Sequence, residues 1–427
     1  PDGIVGPYRE KEGSFFAIRE IWSPVHIGME TLPEGFDGRI QVENRYAMTG
    51  LDRVRFEWRL VDWTGPLDPT AEEHVAATGR AAGPPARPGE TATLQLHLPG
   101  DWQIHHALTL RAVDWTGREV LTWTWPIRSS KTWAESVIQT TGSEEVQYRQ
   151  DRPAGEDKTV HVLECDRLLI LIDPNTGRLA QVRYAREGRG KVRTIDFGNG
   201  PAMAGGDEGE VTSITHHADG AAHVVEVAYT GGDLRTVRWK LYPSGWVELR
   251  YDVHKEGYVD FLGASFDFPE RDVYGVRWLG KGPYPVWKNR LAGAGFGLWE
   301  KGHNTSMTGQ SPWAYPEFRG YHGGVFWAMI ETMQGRITVV DPRGDLNLRL
   351  YTPDYMPGEM VQAPFPSGAI SFMDLIPPIG QKFDPAYWPD GEFTQRYGDG
   401  KSRPFEGVFG PQSARPRAAG RYSRTTY

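Results

Sequence analysis

From Arg39 onward the chain alternates. In RVRFEWRLVDW, Val54, Phe56, Trp58 and Leu60 fall on one face and Arg53, Arg55, Glu57 and Arg59 on the other. Period two with one apolar face predicts a half-buried antiparallel strand. RIQVENRY does the same with Ile40, Val42, Asn44 and Tyr46, and TLQLHL (93–98), ALTLRAV (107–113) and VLTWTWPI (120–127) continue in kind. Short strands at this spacing, divided by turn residues, predict an immunoglobulin-like β-sandwich over 31–130. The phrase VDWTG occurs twice, at Val61–Gly65 and Val113–Gly117. Each copy is expected to close a strand on a turn, with Asp or Thr bonding the turn backbone and Gly free to take positive φ.

Only Ser14–Trp22 has helical spacing, through Phe15, Ile18, Ile21 and Trp22, and Pro24 ends it. Residues Arg128–Lys158 are polar and weakly periodic, which predicts a linker over 131–158. Alternation then returns. VLECDRLLILIDPNTGRLAQVRY and TVRWKLYPSGWVELRYDV read as hairpins turning at Asp173–Gly177 and Pro243–Gly245. Strand and turn signals run on through 159–390, a length of β structure that needs two large sheets stacked face to face. The region 391–427 is polar, with Arg415, Arg417, Arg421 and Arg424 among Pro, Gly and Ser, and is expected to be an extended tail. The fold class is therefore all-β.

Composition narrows the partners. A chain of 427 residues exceeds one ordinary core, and its formal charge of -8 argues against nucleic acid or an anionic membrane surface as the main partner. No apolar run approaches the roughly 18 residues of a membrane span. Cys165, the only cysteine, sits in an apolar strand and reads as an inert core thiol. A single cysteine suits a cytoplasmic protein and equally a periplasmic or secreted one that needs no disulfide. Pro1 is not a translation start, so the chain is expected to be processed or a piece of something longer.

The Gly-, Pro- and aromatic-rich stretch Val276–Val340 carries Trp278, Tyr284, Trp287, Phe296, Trp299, Trp313, Tyr315, Phe318, Tyr321, Phe326 and Trp327. Ring faces beside a few charged partners suit a sugar, whose C–H faces stack while its hydroxyls need hydrogen bonds; any single ring is as readily a core residue. Glu300, Glu317 and Asp354 are the carboxylates that could serve as acid or base, and glycoside hydrolysis needs two of them about 5–9 Å apart. His322 with Glu317 is a second acid–base combination, suited to opening a sugar ring. His105–His106 and His216–His217 lie on strand-like segments, so the rings of each pair should face opposite ways and form no chelate by themselves. Nucleotide-binding loops, the His-Glu-x-x-His motif and the Gly-x-Ser-x-Gly elbow are missing from the sequence.

Several phrases resemble family 2 glycoside hydrolases of the large β-galactosidase type. DGIVGPYREKEGSFFAIREIWSPVHI is similar to the segment that leaves the catalytic barrel, which makes 1–30 an exit segment of a barrel outside this sequence. FDGRIQVENRYAMTGLDRVRFEWRLV resembles the first strands of the fourth domain of such enzymes. VLECDRLLILIDPNTGRLAQVRY, VRWLGKGPYPVWKNRLAGAGFGLWE, DLNLRLYTP and PFPSGAISFMDLIPPIGQKF resemble the start, middle and closing strands of the fifth. That fifth domain is a β-supersandwich of the galactose-mutarotase-like kind, a fold shared with aldose epimerases. The Trp-x-Gly-x-Gly-Pro and Asn-Arg-x-Ala-Gly phrases at 278–293 are fairly specific to it.

The resemblance implies retaining hydrolysis by two barrel glutamates, with no catalytic residue and no cofactor in this chain; any divalent or monovalent cation would belong to the barrel. It implies a β-linked sugar or oligosaccharide as substrate. It also implies a catalytic barrel, in the same polypeptide or a separate subunit, as partner, and assembly into a homo-oligomer. Beyond the Pro-x-Ile-Gly turn the family lends an aromatic ring to the active-site mouth. The matching neighbourhood holds Phe383, Tyr387 and Trp388, of which Trp388 is the first choice, and His322 and Glu317 complete the expected substrate-binding set. The segment PEFRGYHGGVFWAMI departs from the more polar stretch of the galactosidases, which leaves the sugar preference open. A self-standing carbohydrate-binding protein and an aldose-epimerase-like enzyme are the alternatives.

Overall fold

The computed structural model describes residues 4–5, 9, 11, 13–152, 159–185, 192–302, 321–350 and 365–378, and the backbone of 395–397 and 405–412. Two β-sandwiches of unequal size are joined along one side, and the class is all-β, as the patterning predicts. The smaller has a sheet of Val25–His26, Arg39–Asn44 and Thr91–Gln95, and a facing one ordered Glu73–Ala82, Arg55–Trp63, Ala107–Val113, Glu119–Pro126. Phe56, Trp58 and Leu60 of one sheet and Ile40, Val42 and Leu94 of the other fill its core, on the alternation that the sequence shows. Gly79 sits opposite Trp58 because a Cβ there would collide with the indole.

The larger sandwich stacks a ten-stranded sheet on a nine-stranded one. The ten-stranded sheet runs His322–Val325, Leu346–Arg349, Ile370–Leu375, Leu262–Asp267, Gly198–Ala204, Leu179–Ala185, Leu168–Ile172, Val160–Glu164, Gln147–Asp151, with Val192–Ile195 paired to Leu179–Ala185. The nine-stranded sheet runs Glu210–Asp219, Ala222–Thr230, Leu234–Leu241, Val247–Val253, Phe405–Gln412, Gly335–Val340, Trp327–Thr332, Val273–Gly282, Gly295–Gly302. Their inner faces share one core that includes Ile170, Ile172, Trp239, Leu249, Trp278, Phe266 and Phe372. Cys165 is buried there, and burial pushes its thiol up from the ordinary range, as expected of an inert core thiol. A cavity of about 40 Å³ lies between the sheets beside Trp239, Phe197 and Ile337, far too small for a sugar.

Two segments differ from their sequence expectation. The stretch 131–158, expected as a linker, contributes most of a helix (Ser130–Val137, α2 hereafter) and the edge strand Gln147–Asp151. Ser129 caps α2 by accepting from Thr132 N at 3.1 Å, and Trp133, Ala134 and Val137 bury one face; eight residues are too few for a visible period. Within 391–427, expected as an extended tail, Phe405–Gln412 pairs with Val247–Val253 on one side and Gly335–Val340 on the other, at the centre of the nine-stranded sheet. Two glycines and a proline in FEGVFGPQ hide its strand signal, and the two waiting sheet edges override the weak local propensity.

The joint between the sandwiches is apolar and rich in indoles. Trp63, Trp133, Trp246 and Trp327 are all buried in one cluster with Val61, Leu279 and Val340. Arg277, only 3% exposed, extends from the large sandwich to Asp68 O at 3.1 Å and Pro69 O at 3.3 Å in a loop of the small one. Helix α1 (Gly13–Ile21), close to its predicted span, bridges both: Arg19 Nε donates to Val120 O at 2.9 Å, and Phe16 packs on Tyr284 with centroids 4.8 Å apart.

Candidate functional site

The strand pairings bring the ends of three chain segments to one place. Tyr321, where 303–320 ends, pairs through its backbone with Val286. Phe365, where 351–364 ends, lies 5.2 Å from Trp287 and 6.0 Å from Tyr321 between ring centroids. Pro377, just before 379–394, accepts from Lys288 N at 3.1 Å. Trp287 and Tyr321 meet edge-to-face at 5.5 Å, and with Val286, Ala204, Met373 and Ile376 they form a small core on the outer face of the ten-stranded sheet. Local sequence explains the seat. Gly323 carries no Cβ, which would press on Val286, so the 284–290 segment can lie flat on the sheet.

Of the expected substrate-binding residues, Glu317, Phe383, Tyr387 and Trp388 lie outside the described residues, as does Asp354. His322 lies within them, fully buried, with its ring 4.3 Å from that of Trp278. Burial, helped by the charge of Lys301, pushes its proton affinity well below the ordinary histidine value, because a buried imidazolium loses its hydration. Glu300 is 58% exposed and accepts from Arg277 Nε at 3.3 Å; it belongs to the joint, where it helps hold the arginine that ties the sandwiches together.

Most of the described rings in the aromatic stretch are core. Trp278, Tyr284, Trp287, Tyr321 and Trp327 are all at most 6% exposed. Trp287 Nε1 and Trp327 Nε1 are buried with no hydrogen-bond partner among the described residues, so these two indoles serve the fold through packing. Burial pushes the Asp341 carboxyl up to about 6. Its Oδ2 accepts from the backbone N–H groups of Gly344, Asp345 and Leu346 at 2.9–3.0 Å, and its carbonyl accepts from Ser130 Oγ of α2. Those bonds make it the organiser of a turn. Nearby, Arg343 reaches Asp374 at 2.8 Å, and Asp374 too is raised by burial.

The histidine pairs behave differently from each other. His105 and His106 sit in a bend, not a strand, and both rings turn to Asp62, against the expectation of opposite faces. His105 Nδ1 lies 2.8 Å from Asp62 Oδ2, and His106 Nδ1 accepts from Trp63 N at 2.8 Å. His216 and His217 do lie on a strand, and His216 Nδ1 is 3.3 Å from His223 Nε2 on the next one. Tyr148 covers both rings, 3.7 Å from His216 and 5.2 Å from His223, and its hydroxyl meets His161 Nδ1 at 2.9 Å. Sequence spacing could not find this cluster, since its members come from four strands. Among the described residues no group of three or more His, Cys, Asp or Glu is arranged to hold a metal ion.

No known family profile matches the chain, and no curated protein matches it. Among solved structures it is similar to a galactose 1-epimerase from Lactobacillus acidophilus NCFM, with 11% identity over 63% of this chain and 99% of that one, at a TM-score of 0.34. A galactose mutarotase related enzyme from Lactobacillus acidophilus gives 9% identity over 60% of this chain and 97% of the other, at 0.31. A TPR-domain containing protein from Parabacteroides distasonis gives 10% identity over 88% of this chain and 58% of that protein, at 0.33. Superpositions this loose carry no inference about activity.

Proposed function

We propose that this chain is the sandwich-and-supersandwich portion of a family 2 β-glycosidase of the β-galactosidase type, shaping the sugar pocket and the assembly of a retaining hydrolase whose catalytic glutamates belong to a barrel outside this sequence. The observation that carries the reading is the seat of α1. The Asn-Arg-x-Ala-Gly phrase ends at Gly293, whose φ is 85°, and whose absent Cβ would fall 2.5 Å from Ala17 N of that helix. Gly293 N also donates to Glu20 at 2.5 Å. A family-like phrase of the large sandwich thus receives the helix of the segment that resembles the barrel exit, which supports reading the two as parts of one such enzyme. Trp388, supported by Phe383 and Tyr387, stacks on the β-linked sugar in this reading.

The test is the polypeptide as its native source makes it, measured for intact mass and for hydrolysis of p-nitrophenyl β-D-galactoside. The reading expects a mass well above 47.9 kDa with Pro1 internal, or a barrel subunit that co-purifies, together with turnover whose KM rises in Trp388→Ala. A native chain of about this mass with no such companion and no turnover overturns it. Mutarotation of α-D-galactose by the 427-residue chain, lost in His322→Ala, would put the epimerase reading in its place.

A further inference from the structure

The two VDWTG copies end differently. Trp63 of the first is 5% exposed, in the joint, whereas Trp115 of the second is 50% exposed at the tip of the Ala107–Val113/Glu119–Pro126 hairpin. The turn that presents Trp115 is fully tied. Asp114 Oδ1 accepts from Thr116 N at 2.8 Å, Thr116 Oγ1 at 2.6 Å and Arg118 N at 3.0 Å. Asp114 N donates to Arg118 O, Gly117 N donates to Asp114 O, and Gly117 takes a φ of 85°. None of these bonds uses the indole, so the turn does not need a tryptophan there.

A second ring faces it from another loop. Tyr46 lies 5.7 Å from Trp115 between centroids, at 52°. Its loop is held as firmly: the buried Asn44 side chain donates to Thr49 O and Ala86 O at 2.9 Å each and accepts from Tyr46 N at 3.0 Å, while Arg45 N donates to Pro24 O at 2.8 Å. Met48, 94% exposed, continues the same loop. Tyr46 is partly buried against the small-sandwich core, and both rings stand on backbone that is tied before any ligand arrives, which limits the conformational entropy lost on binding. Two rings offer far less surface than the roughly 800 Å² per partner that a stable protein interface needs, which suits a small ligand that stacks on a ring face.

We propose that Trp115 and Tyr46 form a sugar-stacking platform on the small sandwich, which binds a neutral β-linked hexopyranose oligosaccharide independently of the Trp287–Tyr321 cluster of the large one. The choice of sugar over another planar-faced ligand rests on the glycosidase reading; the platform itself does not. The probe is β-1,4-galactotetraose, added to the chain labelled with 5-fluorotryptophan, with the Trp115 signal assigned by Trp115→Phe. The expected result is a saturable shift of the Trp115 signal. Trp115→Ala should weaken binding at least tenfold by calorimetric titration without changing the melting temperature, and Tyr46→Ala should weaken it less. A Trp115 signal unmoved by millimolar galactotetraose, cellotetraose and xylotetraose overturns the platform, and a shift produced only by a proline-rich peptide overturns the sugar. A glycosidase-active native protein with an unmoved Trp115 separates failure of this inference from failure of the glycosidase reading, and the converse pairing separates the reverse.

Discussion

The same five residues, VDWTG, do opposite work at Val61–Gly65 and Val113–Gly117. In the first copy Asp62 gathers His105 and the backbone of His106, Trp63 fills the joint, and its indole N–H donates to Glu73 at 3.0 Å. Thr64 and Gly65 then open a loop held by Thr70, Glu72 and Asp68. In the second copy Asp114 closes a tight hairpin and leaves Trp115 outside. The backbones differ as well: Asp62 and Trp63 stay in the strand Arg55–Trp63, whereas Asp114 ends one and turns, and only Gly117 of the two motif glycines takes positive φ. An identical motif therefore fixes neither how the backbone bends nor what the side chain is for; the surroundings decide both.

The largest effect should come from Trp63→Ala, a destabilisation of about 3–5 kcal/mol in chemical denaturation, against a change within about 0.5 kcal/mol for Trp115→Ala. Equal losses in the two variants would erase the contrast. Arg277→Ala comes next, at roughly 2–3 kcal/mol, because charged hydrogen bonds to Asp68 O and Pro69 O are lost from a buried position. Calorimetry should also resolve the two sandwiches as separate transitions in that variant, where the parent melts as one.

Asp341→Ala should cost roughly as much, since three backbone donors lose their acceptor, and its turn holds α2 against the joint. Its pH dependence should run against that of the imidazoles. Burial raises Asp341 to about 6 from 3.8, so the native chain takes that proton before the unfolded one and acidification through this window stabilises through this group.

Smaller still is the acid sensitivity of the first copy. Burial holds His106 below the ordinary 6.5, with Asp62 opposing and Arg128 adding to the shift. The unfolded chain then binds the proton first, and the stability present above 6.5 falls as the pH drops through the depressed native value. His161 and His223 are lowered by burial in the same sense. Denaturation midpoints from about pH 7.5 to 5 should fall less steeply in His106→Gln than in the parent; parallel curves would remove His106 from the account.

Where burial alternates along an isolated strand, the sequence was a sufficient guide. Val54, Phe56, Trp58 and Leu60 announced the small sandwich, and the hairpins around Asp173–Gly177 and Pro243–Gly245 announced the large one. Position in three dimensions was harder to read. His161, His216 and His223 gather under Tyr148 from separate strands, and Glu300 looks like an acid until Arg277 arrives from the adjacent strand. α2 is too short, and Phe405–Gln412 too broken by Gly and Pro, for a period to show. The rings of 276–340 suggested a binding surface because density of aromatics is visible in a sequence while burial is not. The expected sugar contacts Trp388, Phe383, Tyr387 and Glu317 lie outside the described residues.

The strand Phe405–Gln412 sits between two four-stranded groups of the nine-stranded sheet, and it is the last described strand of the chain. During synthesis neither group can join the other until residue 412 has left the ribosome, so each waits with its inner edge unpaired, the feature that invites mispairing and aggregation. A nascent chain stopped short of residue 405 would keep both edges exposed. The arrival of one weak β-former thus joins two aggregation-prone halves into one continuous nine-stranded layer.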